Sequence, residues 1–362
     1  MLALMDQLIS RPLSPVRGAA FAAFCATLWL SGCSGLSDWR HGLTAGHAPA
    51  PGDRFLLPPD GTDVVGEVQS TVTRYEDTLL DIARRYDLGY DEIIAANPGV
   101  DPWLPGEGTR VVLPTQFVLP DGEREGVVLN LAAKRLFYFP VPAPGDTAEV
   151  ITYPVGIGRE GWLTPEGTLQ ITQKLEQPAW TVPESVRREH AEMGDPLPKI
   201  VPPGPDNPLG DYAMRLSLPS YLIHGTNQPY GVGLRVSHGC VRLYPEDIAS
   251  LFPKVPVGTQ VRIINEPYLA GWRDGQLYLE AHEPLAEDAK RWNGSLQAME
   301  KVVGDKLADS STEVDWDKAK KVAREARGVP VPVAPVSTGL AGMSGGHRWW
   351  SGVFGVTASA KD

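Results

Sequence analysis

Residues with nucleophilic and acid–base chemistry crowd into one short stretch of the chain. Cys240 sits in Ser237-His238-Gly239-Cys240-Val241-Arg242, and His224 stands 16 positions before it, at the head of His224-Gly225-Thr226. A thiol attacks carbonyls only as the thiolate, and an imidazole within hydrogen-bond reach is the usual means of making one. Gly239 permits a tight turn in front of the nucleophile and lets backbone N–H groups converge on one point, as an oxyanion hole requires. Pro245-Glu246-Asp247-Ile248 begins a helix whose positive N-terminal end is expected close to the thiolate. Zinc is the rival use of His224, His238 and Cys240. Their spacing matches no common zinc motif and no fourth ligand accompanies them, so no metal is expected.

The elements that carry this stretch belong to a chain with a leader. Arg11 and Arg17 precede the apolar run Gly18–Leu30, about 13 residues, against the roughly 20 that a membrane-crossing helix needs. Residues 1–32 therefore read as an export signal. The signal ends in Leu30-Ser31-Gly32-Cys33, which resembles the bacterial lipobox, whose Cys is lipidated and becomes the first mature residue. Of the three cysteines, Cys25 then leaves with the signal, Cys33 carries lipid, and Cys240 alone remains as a thiol, so no disulfide within the chain is expected. The lipobox resemblance implies a lipid-anchored protein on the periplasmic side of a bacterial envelope, with Ser34 favouring the outer membrane. A formal charge of −11 and a pI near 5.2 exclude a phosphate-backbone ligand, and nucleic acid is not an expected partner.

Residues 33–69 are rich in Gly, Pro, Ala and Asp and read as a tether. From Ser70 the texture changes. Thr71–Thr73 reads as a strand, Thr78–Tyr86 as a helix with apolar spacing of three and four, Asp91 opens a second helix, and Arg110–Leu113 closes the unit as a strand. This order over 70–114, with its "DTL..IA..Y" and "AANPGVDPWLPGEG" stretches, resembles the LysM domain, which binds N-acetylglucosamine-containing glycan. The resemblance implies a separable glycan-binding module. Across 125–265, short β-rich runs recur at turn-separated intervals: Gly126–Leu131, Arg135–Phe139, Val150–Gly156, Gly167–Lys174, Tyr212–Leu218, Tyr221–His224 and Gly258–Asn265, a mainly β signature. A Pro-rich insert, Val182–Gly210, interrupts them and reads as a long functional loop, a lid or substrate wall. Residues 266–327 form an extension with helices near Ala286–Ala308 and Val314–Ala326, and 328–362 a mobile tail. His190 and His282 stand in no motif and are expected to have no role.

"HGT", "SHGCVR" and "PEDI..LF" together resemble the L,D-transpeptidases of the YkuD type. "MGDPLPKIVPPGPDNPLG" and "HGTNQPYGVGLRVSHGCVRL" are similar to the subgroup that attaches the major outer-membrane lipoprotein to peptidoglycan. The resemblance implies a mainly β, YkuD-type β-sandwich preceded by the βααβ module, and no cofactor. It makes Cys240 the nucleophile and His224 its general base, with Gly225 orienting the imidazole through its carbonyl. Gly239 and Cys240 supply the oxyanion N–H groups, His238 lines the site, and Ser237 and Arg242 contact substrate, the guanidinium as a fork for a carboxylate. The reaction implied is attack between meso-diaminopimelate and D-Ala of a tetrapeptide stem, release of D-Ala, and transfer to an amine of a second diaminopimelate or of a lipoprotein's C-terminal Lys. An L,D-carboxypeptidase, another cysteine peptidase or amidase of the wall, and a non-catalytic wall-binding lipoprotein are the alternatives.

Overall fold

The apolar runs Val127-Val128-Leu129 and Leu136-Phe137-Tyr138 are continuous rather than alternating, the pattern of strands buried on both faces. They become the centre of a nine-stranded mixed sheet in a computed structural model that describes residues 54–58, 61–288, 296–308 and 310–334. The export signal, Cys25, Cys33 and residues 335–362 lie outside the described residues. No described helix is long and apolar enough to cross a membrane.

The sheet runs, edge to edge, Arg54–Leu56, Glu149–Pro154, Arg135–Phe139, Gly126–Asn130, Gln260–Ile264, Gly167–Glu176, Tyr212–Leu216, Leu222–His224 and Val241–Arg242. Gly167–Glu176 is its corner strand. Residues 167–170 pair with Gln260–Ile263, and past a register shift between Ile171 and Gln173 the strand pairs with Tyr212–Leu216. One bulged strand can thus serve two sheet halves that share a core. That core gathers Leu129, Leu136, Ile151 and Ile263 from one half and Met214, Ile223 and Val241 from the other. A second apolar cluster on the outer face of the first half includes Val128, Phe137 and Phe139, packed with Phe117 and Val65.

Before the sheet, strands Gln69–Val72 and Arg110–Leu113 pair antiparallel around helices α1 (Leu79–Arg85) and α2 (Tyr90–Ala96). Thr78 and Asp81 close a capping box on α1, which satisfies two orphan donors reciprocally. Leu79, Ile82, Leu88, Ile93, Val111 and Leu113 form the unit's own core. The βααβ order is the one read from the sequence, but the unit does not hang on a linker. Glu92 of α2 accepts from Arg135 Nε (2.6 Å) and Nη2 (2.9 Å), and Arg135 also donates to Thr152 Oγ1 (2.8 Å) and Asp87 O (2.9 Å). Arg135 is 1% exposed, with its guanidinium 4.2 Å from the Phe117 ring centroid.

Several expected boundaries are corrected. Inside the expected tether 33–69, Arg54–Leu56 is the edge strand of the large sheet and Val64–Gly66 pairs with Gln116–Val118. Their short apolar stretches lack the length that makes periodicity visible. The Pro-rich insert is no bare loop: it carries helix α3 (Glu184–Glu192), and Ile200–Val201 pairs with Trp180–Thr181. Only Val186 of α3 is buried, so no apolar stripe announces the helix. After the nucleophile segment comes α4 (Pro245–Leu251). The extension begins with an unforeseen hairpin, Tyr268–Arg273 with Gln276–Ala281, onto which α5 (Gln297–Leu307) and α6 (Trp316–Glu325) pack. Val331–Pro332, expected in the mobile tail, adds a third strand to it.

Breaking a buried ion pair strands a charge, at a cost of about 3–5 kcal/mol, whereas replacing both partners with apolar groups is far milder. Glu92→Ala is therefore expected to shift the urea midpoint down strongly, and Glu92→Leu combined with Arg135→Met to recover most of the loss. Equal midpoints for the wild type and Glu92→Ala show that the pair does not hold the module.

Candidate active site

Leu222–His224 and Val241–Arg242 are parallel neighbours, with Ile223 opposite Val241 and His224 opposite Arg242. Ile223 and Val241 point into the core. Because side chains alternate along a strand, His224, Arg242 and, two residues earlier, Cys240 share the other face. The 16-residue separation of His224 and Cys240 is the length a crossover needs to set two parallel strands side by side.

His224 is 2% exposed, and its Nδ1 lies 2.6 Å from Gly225 O. A carbonyl only accepts, so Nδ1 carries the proton and Nε2 keeps its lone pair. Burial first, then the Arg242 charge, pull the imidazole pKa down to about 3, against the Gly225 and Leu209 carbonyls. The Cys240 thiol donates to Ser220 O at 3.5 Å. Burial pushes its pKa up, and the Leu222 N–H and the Arg242 charge oppose the rise. Each of the two groups thus rests neutral. Arg242 has its Nε buried without a partner among the described residues, and burial lowers its pKa.

Two expected roles change. Ser237 is 1% exposed, accepts from Gly239 N at 3.1 Å and donates to Cys240 O at 2.5 Å, so it braces the nucleophile turn and cannot reach a substrate. The same bond occupies the Gly239 N–H, which removes it from an oxyanion hole. Gly239 has φ +102°, and a Cβ there would lie 2.7 Å from Tyr221 Cε1, so only glycine fits. Its carbonyl accepts from Thr164 Oγ1 at 2.9 Å. Gly225 is required for another reason: a Cβ would meet Ile248 of α4 at 2.9 Å. At the start of α4, Tyr244 Oη donates to Leu88 O and Glu246 accepts from Arg84.

His238 faces the insert. Its Nε2 lies 2.8 Å from Glu189 Oε2 of α3 and 3.1 Å from Arg159 Nη2, and Arg159 also pairs with Glu189. Trp162 meets the ring edge to face with centroids 4.8 Å apart. Burial lowers the His238 pKa, Glu189 opposes and Arg159 assists. Arg159, Trp162, Thr164 and Glu189 carry no motif, so only the fold reveals them. His190 lies with its ring centroid 6.5 Å from that of His238. With His238 held by Glu189, His224, His238 and Cys240 do not make a ligand set, and no three His, Cys, Asp or Glu among the described residues gather for a metal.

The sequence model of the YkuD family, described as the L,D-transpeptidase catalytic domain, matches residues 124–263. The protein named "Probable L,D-transpeptidase ErfK/SrfK" of Escherichia coli K12 is 39% identical over 285 residues, which is 77% of this chain and 90% of that protein. The chain belongs to the L,D-transpeptidase family. "Probable L,D-transpeptidase YbiS" of the same organism is 44% identical over 244 residues, 66% of this chain and 78% of the relative. "Probable L,D-transpeptidase YcfS" is 42% identical over 245 residues, 66% of this chain and 75% of the relative. The matched region of this transpeptidase holds every residue of the thiol and imidazole site.

A raised thiol pKa leaves less thiolate near neutrality than a free cysteine has. Alkylation of Cys240 by iodoacetamide is expected to accelerate by about tenfold per pH unit and to go on rising above the range of an ordinary thiol. A plateau reached at or below pH 7 reveals a preformed thiolate–imidazolium pair instead.

Proposed function

We propose that the protein is a peptidoglycan L,D-transpeptidase whose Cys240 forms a thioester with the meso-diaminopimelate residue of a tetrapeptide stem. The observation that carries this reading is Arg242. Its guanidinium lies on the face of His224 and Cys240, interacts electrostatically with both, and has a buried Nε without a partner among the described residues. A donor atom buried without a partner is unfavourable until something pairs with it. The free carboxylate on the D-centre of diaminopimelate matches its planar fork.

In the first half-reaction His224 Nε2 takes the thiol proton as sulfur attacks the carbonyl carbon. The C–N bond to D-Ala breaks, and the departing amine takes that proton. Gly225 O holds the imidazole in the tautomer this requires. With the Gly239 N–H occupied, the N–H of Cys240 is the donor that remains for the oxyanion. In the second half-reaction an amine attacks the thioester and sulfur leaves. The likeness of 193–210 and 224–243 to the lipoprotein-attaching subgroup supports a lipoprotein Lys as acceptor. A second diaminopimelate gives a 3→3 cross-link, and water a carboxypeptidase.

The LysM-like 70–114 unit is read as a glycan platform. Tyr75 (85% exposed), Trp103 (53%) and Leu104 (81%) stand in the two loops that Thr73 N to Thr109 O and Leu79 N to Pro102 O hold together. Exposed aromatic side chains on neighbouring loops suit the apolar face of a sugar. Lipidation at Cys33 would hold the enzyme at the periplasmic face of a membrane, the outer one in this reading.

Intact mass after incubation with a purified disaccharide-tetrapeptide tests the reaction. The wild type is expected to gain the mass of the stem less D-Ala, and Cys240→Ala to gain nothing; a wild-type enzyme that never gains it refutes the thioester. Arg242→Lys keeps the charge and loses the fork, so a rise in KM of about tenfold or more, the loss of one bidentate contact, is expected. Muropeptide mass spectrometry of cells with and without the gene separates the acceptors, since a lost lipoprotein remnant and a lost 3→3 dimer differ in mass.

A further inference from the structure

The βααβ module grips the chain on both sides of Cys240. Upstream, Tyr90 N and Asp91 N of α2 reach Val232 O (3.2 Å) and Gly233 O (3.4 Å). There the two backbones touch. A Cβ on Gly233 would lie 2.1 Å from Tyr90 N, and one on Gly89 would lie 2.8 Å from Gly233 Cα. Val232–Leu234 runs directly into Arg235–Ser237 and on to Cys240. Downstream, Arg84 of α1 makes a two-pronged pair with Glu246 (2.7 and 2.9 Å), and Tyr244 Oη donates to Leu88 O at 3.1 Å.

The upstream loop is also locked to the strand that follows the nucleophile. Gly156 exchanges both backbone hydrogen bonds with Arg242 (2.8 and 2.9 Å), and a Cβ on Gly156 would lie 2.5 Å from Gly231 O. Ile157 N donates to Leu234 O at 2.9 Å. A displacement at Gly233 is therefore passed through close-packed backbone, with no flexible side chain to absorb it, to within two residues of Cys240.

We infer that Gly89 and Gly233 are positioning residues for the acyl-transfer reaction: their backbone contact sets where the chain enters the nucleophile turn, and the βααβ module is thereby part of the catalytic architecture. This rests on Cys240 being the nucleophile. Thr78 to Ala96 has two tasks in consequence. It builds the module's own core, and it presents the first turn of α2 as a stop for the loop before Cys240.

Gly89→Ala tests the contact, because Gly89 has φ −85°, a conformation alanine adopts freely. The new methyl group clashes with Gly233 Cα at 2.8 Å and presses more lightly on Glu92 Oε2 at 3.2 Å. The control is Ile82→Val, which trims a fully buried side chain of the module's own core. In the full-length protein, Gly89→Ala is expected to lower kcat for a soluble tetrapeptide and the alkylation rate of Cys240 by tenfold or more at unchanged KM, while Ile82→Val leaves both near wild type. Unchanged rates in Gly89→Ala, or equal falls in the two variants, overturn the inference. Alkylation needs no substrate, so it still tests the contact if the wild-type thioester never forms, an outcome that refutes the reaction and not the positioning.

Discussion

A guanidinium removed from water needs partners for its donors and its charge, and at Arg135 that requirement draws four other parts of the chain to one point. Glu92 comes from α2, Asp87 from the turn before it, Thr152 from the neighbouring strand and Phe117 from the connection between module and sheet. No rotation of the module can preserve this set. Glu92 is committed twice, since it also accepts from Gly89 N at 2.6 Å and so caps α2. Beside it Asp87, at φ +53°, turns its carbonyl toward Arg135. Burial and the neighbouring Asp87 raise the Asp247 carboxyl pKa well above the ordinary range. The seam also carries the Arg84–Glu246 and Lys134–Asp91 pairs, so its charges meet as opposites around the buried Arg135–Glu92 pair, which is what a low-dielectric contact tolerates.

The resting chemistry of the site follows from the same economy of charge. In many thiol enzymes an ion pair of thiolate and imidazolium precedes the substrate. Here burial disfavours both charged forms, and Arg242 disfavours a second cation at His224. Little of the thiol then stands as thiolate before substrate arrives, and oxidation, which follows thiolate character, is slowed with it. Ser237, Thr164 and Tyr221 serve this arrangement by holding the Gly239 turn from three sides.

Much of this was legible in the sequence because it is local. The βααβ order follows from apolar spacing and the Thr78–Asp81 cap, and most catalytic-sheet strands from short runs bounded by Gly and Pro. The His224–Cys240 spacing is a topological quantity printed in one dimension. What could not be read is non-local or featureless. Arg54–Leu56 is a strand only because Glu149–Ile151 offers an open edge. Helix α3 buries one residue, and its key side chain, Glu189, resembles any exposed glutamate until Arg159 and His238 are seen around it. The substrate contact expected of Ser237 rests on the resemblance alone; its near-complete burial is what assigns it to the turn.

The position of Gln260–Ile264 in the sheet has a consequence for how the chain comes to be folded at all. This last strand of the catalytic region lies between Gly126–Asn130 and Gly167–Gln170, pairing parallel with one and antiparallel with the other. Until residue 264 is available, the sheet is two pieces with open edges facing a gap one strand wide. Chains are made from the N-terminus, so this state is passed through during every synthesis. Non-local closure of that kind is slow, and unpaired edges are templates for wrong partners. A truncation ending before Gln260 would thus lose the keystone of the sheet while keeping every catalytic side chain, and a chain stalled there would be a substrate for chaperones and proteases rather than a smaller enzyme.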